Sequence, residues 1–160
     1  MQLEEVLKYD MLTGEFFIKK NDQKLRKIFP GEDGYIIFYK KGTRYKLKAN
    51  KVAMELITGE KIPANKAVLH RNLDENDYRL QNLKIIPKSI YNLIKEAYRN
   101  LSGQLKIIPH STDVFSYVLT WRENGKDRKL VVDDFVVAKR MHSKIQLKYA
   151  KILNKYCIFE

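Results

Sequence analysis

Residues 67–86 read AVLHRNLDENDYRLQNLKII. An apolar run carrying a single histidine enters a loop dense in Asp, Asn, Glu and Arg, then returns to a second apolar run at Asn82-Leu83. Side chains alternate along a strand, so Val68 and His70 share one face and Leu69 and Arg71 the other. Leu83–Ile86 is the expected return strand. Pro87-Lys88-Ser89 then opens a helix with Ser89 as its N-cap and an apolar stripe at Ile90, Leu93, Ile94, Ala97 and Leu101. Two strands, a polar loop and a helix make a ββα unit over residues 66–100. The decisive residue is His70, either a catalytic base or a side chain that holds a hairpin together.

Toward the N-terminus, YDMLTGEFFIKK places a Thr-Gly turn before an apolar run, which predicts a short hairpin or strand. GYIIFYKKGTRYKLKA contains two strand-like runs, Tyr35–Lys40 and Arg44–Lys48, about a Lys-Gly turn. From Ala49 to Ile57 the apolar positions Val52, Ala53, Leu56 and Ile57 keep helical spacing, and Gly59 stands where a helix stops.

Toward the C-terminus, Gly103 marks a break after Asn100. Leu105–Pro109 reads as a strand. Phe115–Glu123 and Lys126–Val132 flank Asn124-Gly125, a strong hairpin signal because both residues tolerate positive φ. A two-residue turn pairs Glu123 with Lys126, Trp121 with Arg128, Leu119 with Leu130 and Tyr117 with Val132. The other face, with Ser116, Val118, Thr120, Arg122, Asp127, Lys129 and Val131, is expected to be open to solvent or ligand. Asp133-Asp134 suits a helix start, and Ala138, Met141, Ile145, Tyr149 and Ile152 form the stripe that covers the Leu119/Leu130 face. The expected fold class is α+β: an N-terminal β-hairpin and helix, the ββα unit, and a three-stranded antiparallel sheet packed on one long helix. The domain division is expected at 1–101 and 102–160.

The 160 residues carry 31 Lys and Arg against 19 Asp and Glu, a formal net charge of +12, with 44% hydrophobic content to supply a core. A field of that sign attracts phosphate backbones, and counterion release supplies affinity for nucleic acid. The lone Cys157 forms no internal disulfide and, with no CxxC pair, zinc is not expected. The N-terminus MQLEEVLKYD is acidic where a secretory signal would be basic, and no apolar run is long enough to span a bilayer. An intracellular protein without a disulfide-linked partner is the expectation.

Phosphodiester hydrolysis needs a base to deprotonate water, a Lewis acid on the phosphate and a group that holds the base in register. A histidine on the first strand, an amide at the second and a polar side chain on the helix supply these in a ββα unit. His70, Asn82 and Asn92 occupy those places. The structural alternative is a packed histidine in a hairpin.

His70 followed twelve positions later by Asn82-Leu83, across an Asn/Asp/Arg-rich loop, resembles the core motif of the HNH endonucleases, especially the small ones of phages and mobile introns. YDMLTGEFF and DGYIIFYKKGTRYKLKANKVAMELITGE are similar to the hairpin and helix that precede the motif in phage members. The resemblance spans roughly residues 5–95. It implies His70 as general base, Asn82 as the residue that orients it or supports the loop, Asn92 as ligand of a Mg²⁺ ion, and a host-cell location if phage-encoded. Many members place Asp before the histidine, where this chain has Leu69, and the helical ligand one position before Asn92, at Tyr91. Tyr78 and Leu73 stand where Asn and Gly are common.

WRENGKDRKLVVDDFVVAKRMHSKIQLKYAKI resembles the three-stranded Apetala-type DNA-binding domain. That resemblance implies double-stranded DNA as partner and Arg122, Lys126, Arg128 and Lys129 as contact residues, with Arg71 and Arg79 of the polar loop as further candidates. Two functions follow. One is an HNH-type endonuclease of nicking or homing kind. The other, motivated by Leu69, Leu73, Tyr78 and Tyr91, is an HNH-fold nucleic-acid-binding or regulatory protein without the chemistry. An RNA-binding protein of ribosomal type is a weaker third.

Overall fold

The computed structural model describes residues 2–20, 24–110 and 113–158. Contacts divide the chain into two compact units at Lys88/Ser89. That boundary falls at the start of the helix Lys88–Arg99, whereas the sequence places the division after it, at 101/102.

In the first unit, Leu7–Tyr9 (β1), Phe16–Lys19 (β2) and Leu25–Ile28 (β3) form an antiparallel sheet in the order β1-β2-β3. The Thr-Gly turn joins β1 to β2, with Gly14 at φ 76°. β3 was not anticipated: its sequence, LRKI, is too short and too exposed to alternate visibly. Tyr35–Lys40 (β4) and Thr43–Lys48 (β5) form the expected hairpin, with Tyr35 opposite Lys48 and Tyr39 opposite Arg44. Helix α1, Ala49–Thr58, follows at once and ends on Gly59, whose N–H donates to the Glu55 carbonyl at 3.0 Å and whose φ of 70° turns the chain out of the helix. Its buried residues are Ala49, Val52, Ala53 and Met54, while Ile57 is exposed. Lys66–His70 (β6) and Leu83–Pro87 (β7) pair antiparallel, with His70 opposite Leu83. Val6, Leu7, Phe16, Ile36, Phe38, Val52, Val68, Tyr78 and Leu83 are buried in one core shared by these elements.

Within this unit the helix packed against β6 and β7 is α1, which precedes the hairpin. Helix α2, Lys88–Arg99, continues directly from β7 into the second unit, so Ser89 lies inside its first turn and is not the N-cap expected. A π-helical turn, 100–104, follows, with Gly103 at φ 127°.

The second unit is built on Lys106–His110 (β8), Asp113–Glu123 (β9) and Lys126–Val132 (β10), with β9 central. The register about Asn124-Gly125 is the one expected, and both turn residues have positive φ, 53° and 73°. Helix α3, Phe135–Tyr156, is capped by the Asp134 carboxylate, which accepts from the Val137 N–H at 3.0 Å. It meets the Tyr117/Leu119 face: the Phe135 ring lies 5.1 Å from that of Tyr117, and Leu119, Ala138, Tyr149 and Leu153 are buried. The opposite face is less open than expected, because Ser116 and Val118 are buried on the central strand. Val118 lies between Ile108 and Val131 of the neighbouring strands. Among the described residues no helix is long and apolar enough to cross a membrane.

Candidate functional site

The polar loop between β6 and β7 is organised by side chains. Asn82 is buried, and its Oδ1 accepts the Asn72 N–H at 2.8 Å while its Nδ2 donates to the Asp77 carbonyl at 2.8 Å. One amide thus closes both ends of the loop. The Asp77 carboxylate accepts from Asn72 Nδ2 at 3.0 Å and from Arg79 through Nε at 2.8 Å and Nη2 at 2.5 Å. The hydrogen bond from Arg79 is the largest influence holding that carboxyl down to about 2, against the opposing effect of burial.

His70 is 6% exposed. Its Nδ1 lies 3.1 Å from the Asp77 carbonyl, the same oxygen that Asn82 uses. A carbonyl only accepts, so Nδ1 carries the proton and Nε2 keeps its lone pair. The Asn50 Nδ2 of α1 sits 3.3 Å from that Nε2 and 3.3 Å from the Val68 carbonyl, so it donates toward both acceptors. The ring edge is packed at 76° against Tyr78, centroids 5.3 Å apart. Burial lowers the imidazole below its ordinary 6.5, partly offset by the Asp77 hydrogen bond. His70 is therefore neutral near pH 7, with both nitrogens engaged.

Tyr78 anchors the middle of the loop. It is buried against Phe16, with centroids 5.6 Å apart at 74°, and its carbonyl accepts the Tyr9 hydroxyl. A Cβ on Gly14 would come within 2.8 Å of the Tyr78 and Arg79 backbone, so only glycine permits that approach. The Leu80 N–H also bonds the Met11 carbonyl at 2.9 Å. The loop is docked on the β1–β2 turn. Leu73, at the expected glycine position, takes a left-handed φ of 64°.

Magnesium prefers carboxylate and water oxygens in octahedral array. Leu69, the residue before the histidine, is 3% exposed and apolar, and the Asp77 carboxylate is consumed by Arg79 and Asn72. Among the described residues no group of three or more His, Cys, Asp or Glu is arranged to hold a metal. The side chains around His70 do not fit that ion. Asn92 belongs to the second unit, exposed on α2.

The remaining candidates divide by what holds them. Arg79 is bound into the loop through Asp77. Arg71 is half-buried, and its Nε is shielded without a hydrogen-bond partner. Arg122 is turned onto its own hairpin, donating to the Gly125 carbonyl at 2.9 Å and Asp127 at 3.3 Å. Arg128 lies 3.9 Å from Glu123, and Lys126 and Lys129 are exposed. Lys106, which the sequence reading missed, is aligned with Thr120 and Lys129 across the sheet. A register shift interrupts the β8–β9 pairing between Pro109 and His110, so the partners of Lys106 could not be read off by counting along the strands.

Comparison with family models, curated proteins and solved structures gave no match to this chain.

Proposed function

We propose that the protein binds double-stranded DNA inside the cell and retains the HNH-like hairpin as a structural element, without using it to hydrolyse phosphodiesters. The observation that carries this reading is the commitment of His70. A base must present a free lone pair to water, whereas here Nε2 is met by Asn50 and the ring is shut in by Tyr78. Leu69 completes the argument by filling a ligand position with core.

Binding is assigned to the three-stranded sheet. Lys106 and Lys129 flank Thr120, with Ile108 and Val131 beside them about half exposed. A β-ribbon enters the B-form major groove, about 12 Å wide, but not the deep, narrow groove of A-form RNA. The lysines would contact phosphate and position the sheet without specifying bases. Lys106→Gln/Lys129→Gln is expected to weaken duplex binding and flatten the slope of log affinity against log salt by about 2. Unchanged affinity and slope would reject the assignment.

A second reading is favoured by one feature of the same site. The protonated Nδ1 and the lone pair on Nε2 are the tautomer a general base requires. Cleavage would require Asn50 to withdraw from Nε2, and Asn50→Ala would then raise nicking.

A further inference from the structure

The β4–β5 ribbon places unlike side chains on its two faces. Ile36 and Phe38 point into the core, where Phe38 stacks on Tyr45 at 5.3 Å and 15°. The other face carries Tyr35, Ile37 and Tyr39 from β4 directly opposite Lys48, Lys46 and Arg44 from β5. Each cross-strand pair on it joins an apolar or aromatic side chain to a cation.

Part of this pattern stabilises the ribbon itself. The Lys46 and Lys48 ammonium groups lie 4.6 Å and 5.6 Å from the Tyr35 ring centroid, and Lys46 also pairs with Asp33 at 2.7 Å. Tyr39 is different. It is 64% exposed, and among the described residues its ring has neither an aromatic nor a cationic partner. An unpaired aromatic at the end of a cationic row is more than the ribbon needs to fold.

Beside it lies a cleft of about 650 Å³, with Ile37 and Tyr39 on one wall and Lys19, Lys20 and Arg26 among its other lining residues. That volume is in the range of sites that seat a small organic group, about 300–1,000 Å³. All these residues belong to the first unit. An exposed aromatic face and an apolar wall bordered by cations match an unpaired base on a phosphate chain. A duplex matches poorly, because its base faces are stacked and unavailable.

We propose that the outer face of the β4–β5 ribbon and its adjoining cleft bind single-stranded nucleic acid. Tyr39 is the stacking platform for a base, and Arg44, Lys46 and Lys48 follow the phosphates. The site is separate from the sheet assigned to duplex DNA and does not rest on that assignment.

Fluorescence anisotropy of the full chain tests this with a labelled oligothymidylate and a labelled duplex of equal length at matched salt. Tyr39→Ala is expected to weaken oligothymidylate binding by about tenfold, in line with the loss of one stacked base, while duplex affinity stays at the wild-type value. Tyr39→Phe, which keeps the ring, should restore the affinity. Arg44→Gln should reduce the single-strand salt slope by about 0.7. Wild-type affinity for oligothymidylate in Tyr39→Ala would overturn the proposal, as would a wild-type protein that binds duplex and not single strands. Single-strand binding without duplex binding would uphold this site and remove the duplex reading.

Discussion

At the scale of single residues, the 70–82 loop is held by hydrogen bonds among its own groups and to Tyr9, Met11 and Asn50, and its energetics follow from that. Asn82→Ala leaves the Asn72 N–H and the Asp77 carbonyl each short of a buried partner. The expected cost is about 2 kcal/mol or more, measured by urea unfolding. His70 makes the loop sensitive to pH in a definite direction. Its folded-state pKa is depressed by burial below the ordinary 6.5, so below that pH the unfolded chain takes up a proton that the folded chain resists. Stability is expected to fall as pH drops below about 6.5, and His70→Gln should flatten that dependence. Asp77 acts lower on the scale. Its carboxyl is depressed to about 2 chiefly by the Arg79 hydrogen bond, so its contribution is complete above the ordinary 3.8 and lost as pH falls toward about 2. Arg79→Ala should shift that acid limb upward, read from unfolding curves between those limits.

At the scale of elements, turns and caps give separate tests. Lys41 is held at φ 48° at the first corner of the β4–β5 turn. A left-handed L-residue costs about 1–2 kcal/mol, and glycine loses about 0.5–1 kcal/mol to chain entropy. Lys41→Gly is therefore expected to raise stability by roughly 0.5 kcal/mol. Asp134→Ala removes the α3 cap and should cost about 1 kcal/mol. These are also the elements whose signals were plainest in the sequence. Asn124-Gly125 announced a two-residue turn, and strand periodicity then determined every pair from Glu123–Lys126 to Tyr117–Val132. Gly59 announced the end of α1 because no other residue takes its left-handed φ so cheaply. Ser89 misled because β7 runs straight into α2, leaving no loop for an N-cap. Asn100 gave no warning at all. It is buried, with Oδ1 accepting the Arg122 N–H and Nδ2 donating to the Arg122 carbonyl, each at 2.8 Å, and the Tyr149 hydroxyl donates to that carbonyl at 2.7 Å. An isolated Asn at the end of an amphipathic helix looks like an exposed end residue until the strand it binds is known. The site was legible in the same uneven way. The His70/Asn82 spacing exposed the hairpin, whereas the partner that occupies His70 Nε2 comes from Asn50 in a different element, and no local pattern links the two.

At the scale of the whole molecule, a net charge of +12 sets up a field that favours association with anions. Each unit carries cations on strand faces that the cores do not use, Arg44, Lys46 and Lys48 in the first and Lys106 and Lys129 in the second. The central claim separates this binding from chemistry at His70. The most direct measurement is incubation of supercoiled plasmid with wild-type protein and with His70→Gln in the presence of Mg²⁺, followed by deproteinisation and gel analysis. The account predicts retardation before deproteinisation and fully supercoiled plasmid after it, for both proteins. Mg²⁺-dependent, multiple-turnover conversion to open circles by the wild type, abolished in His70→Gln, would contradict it.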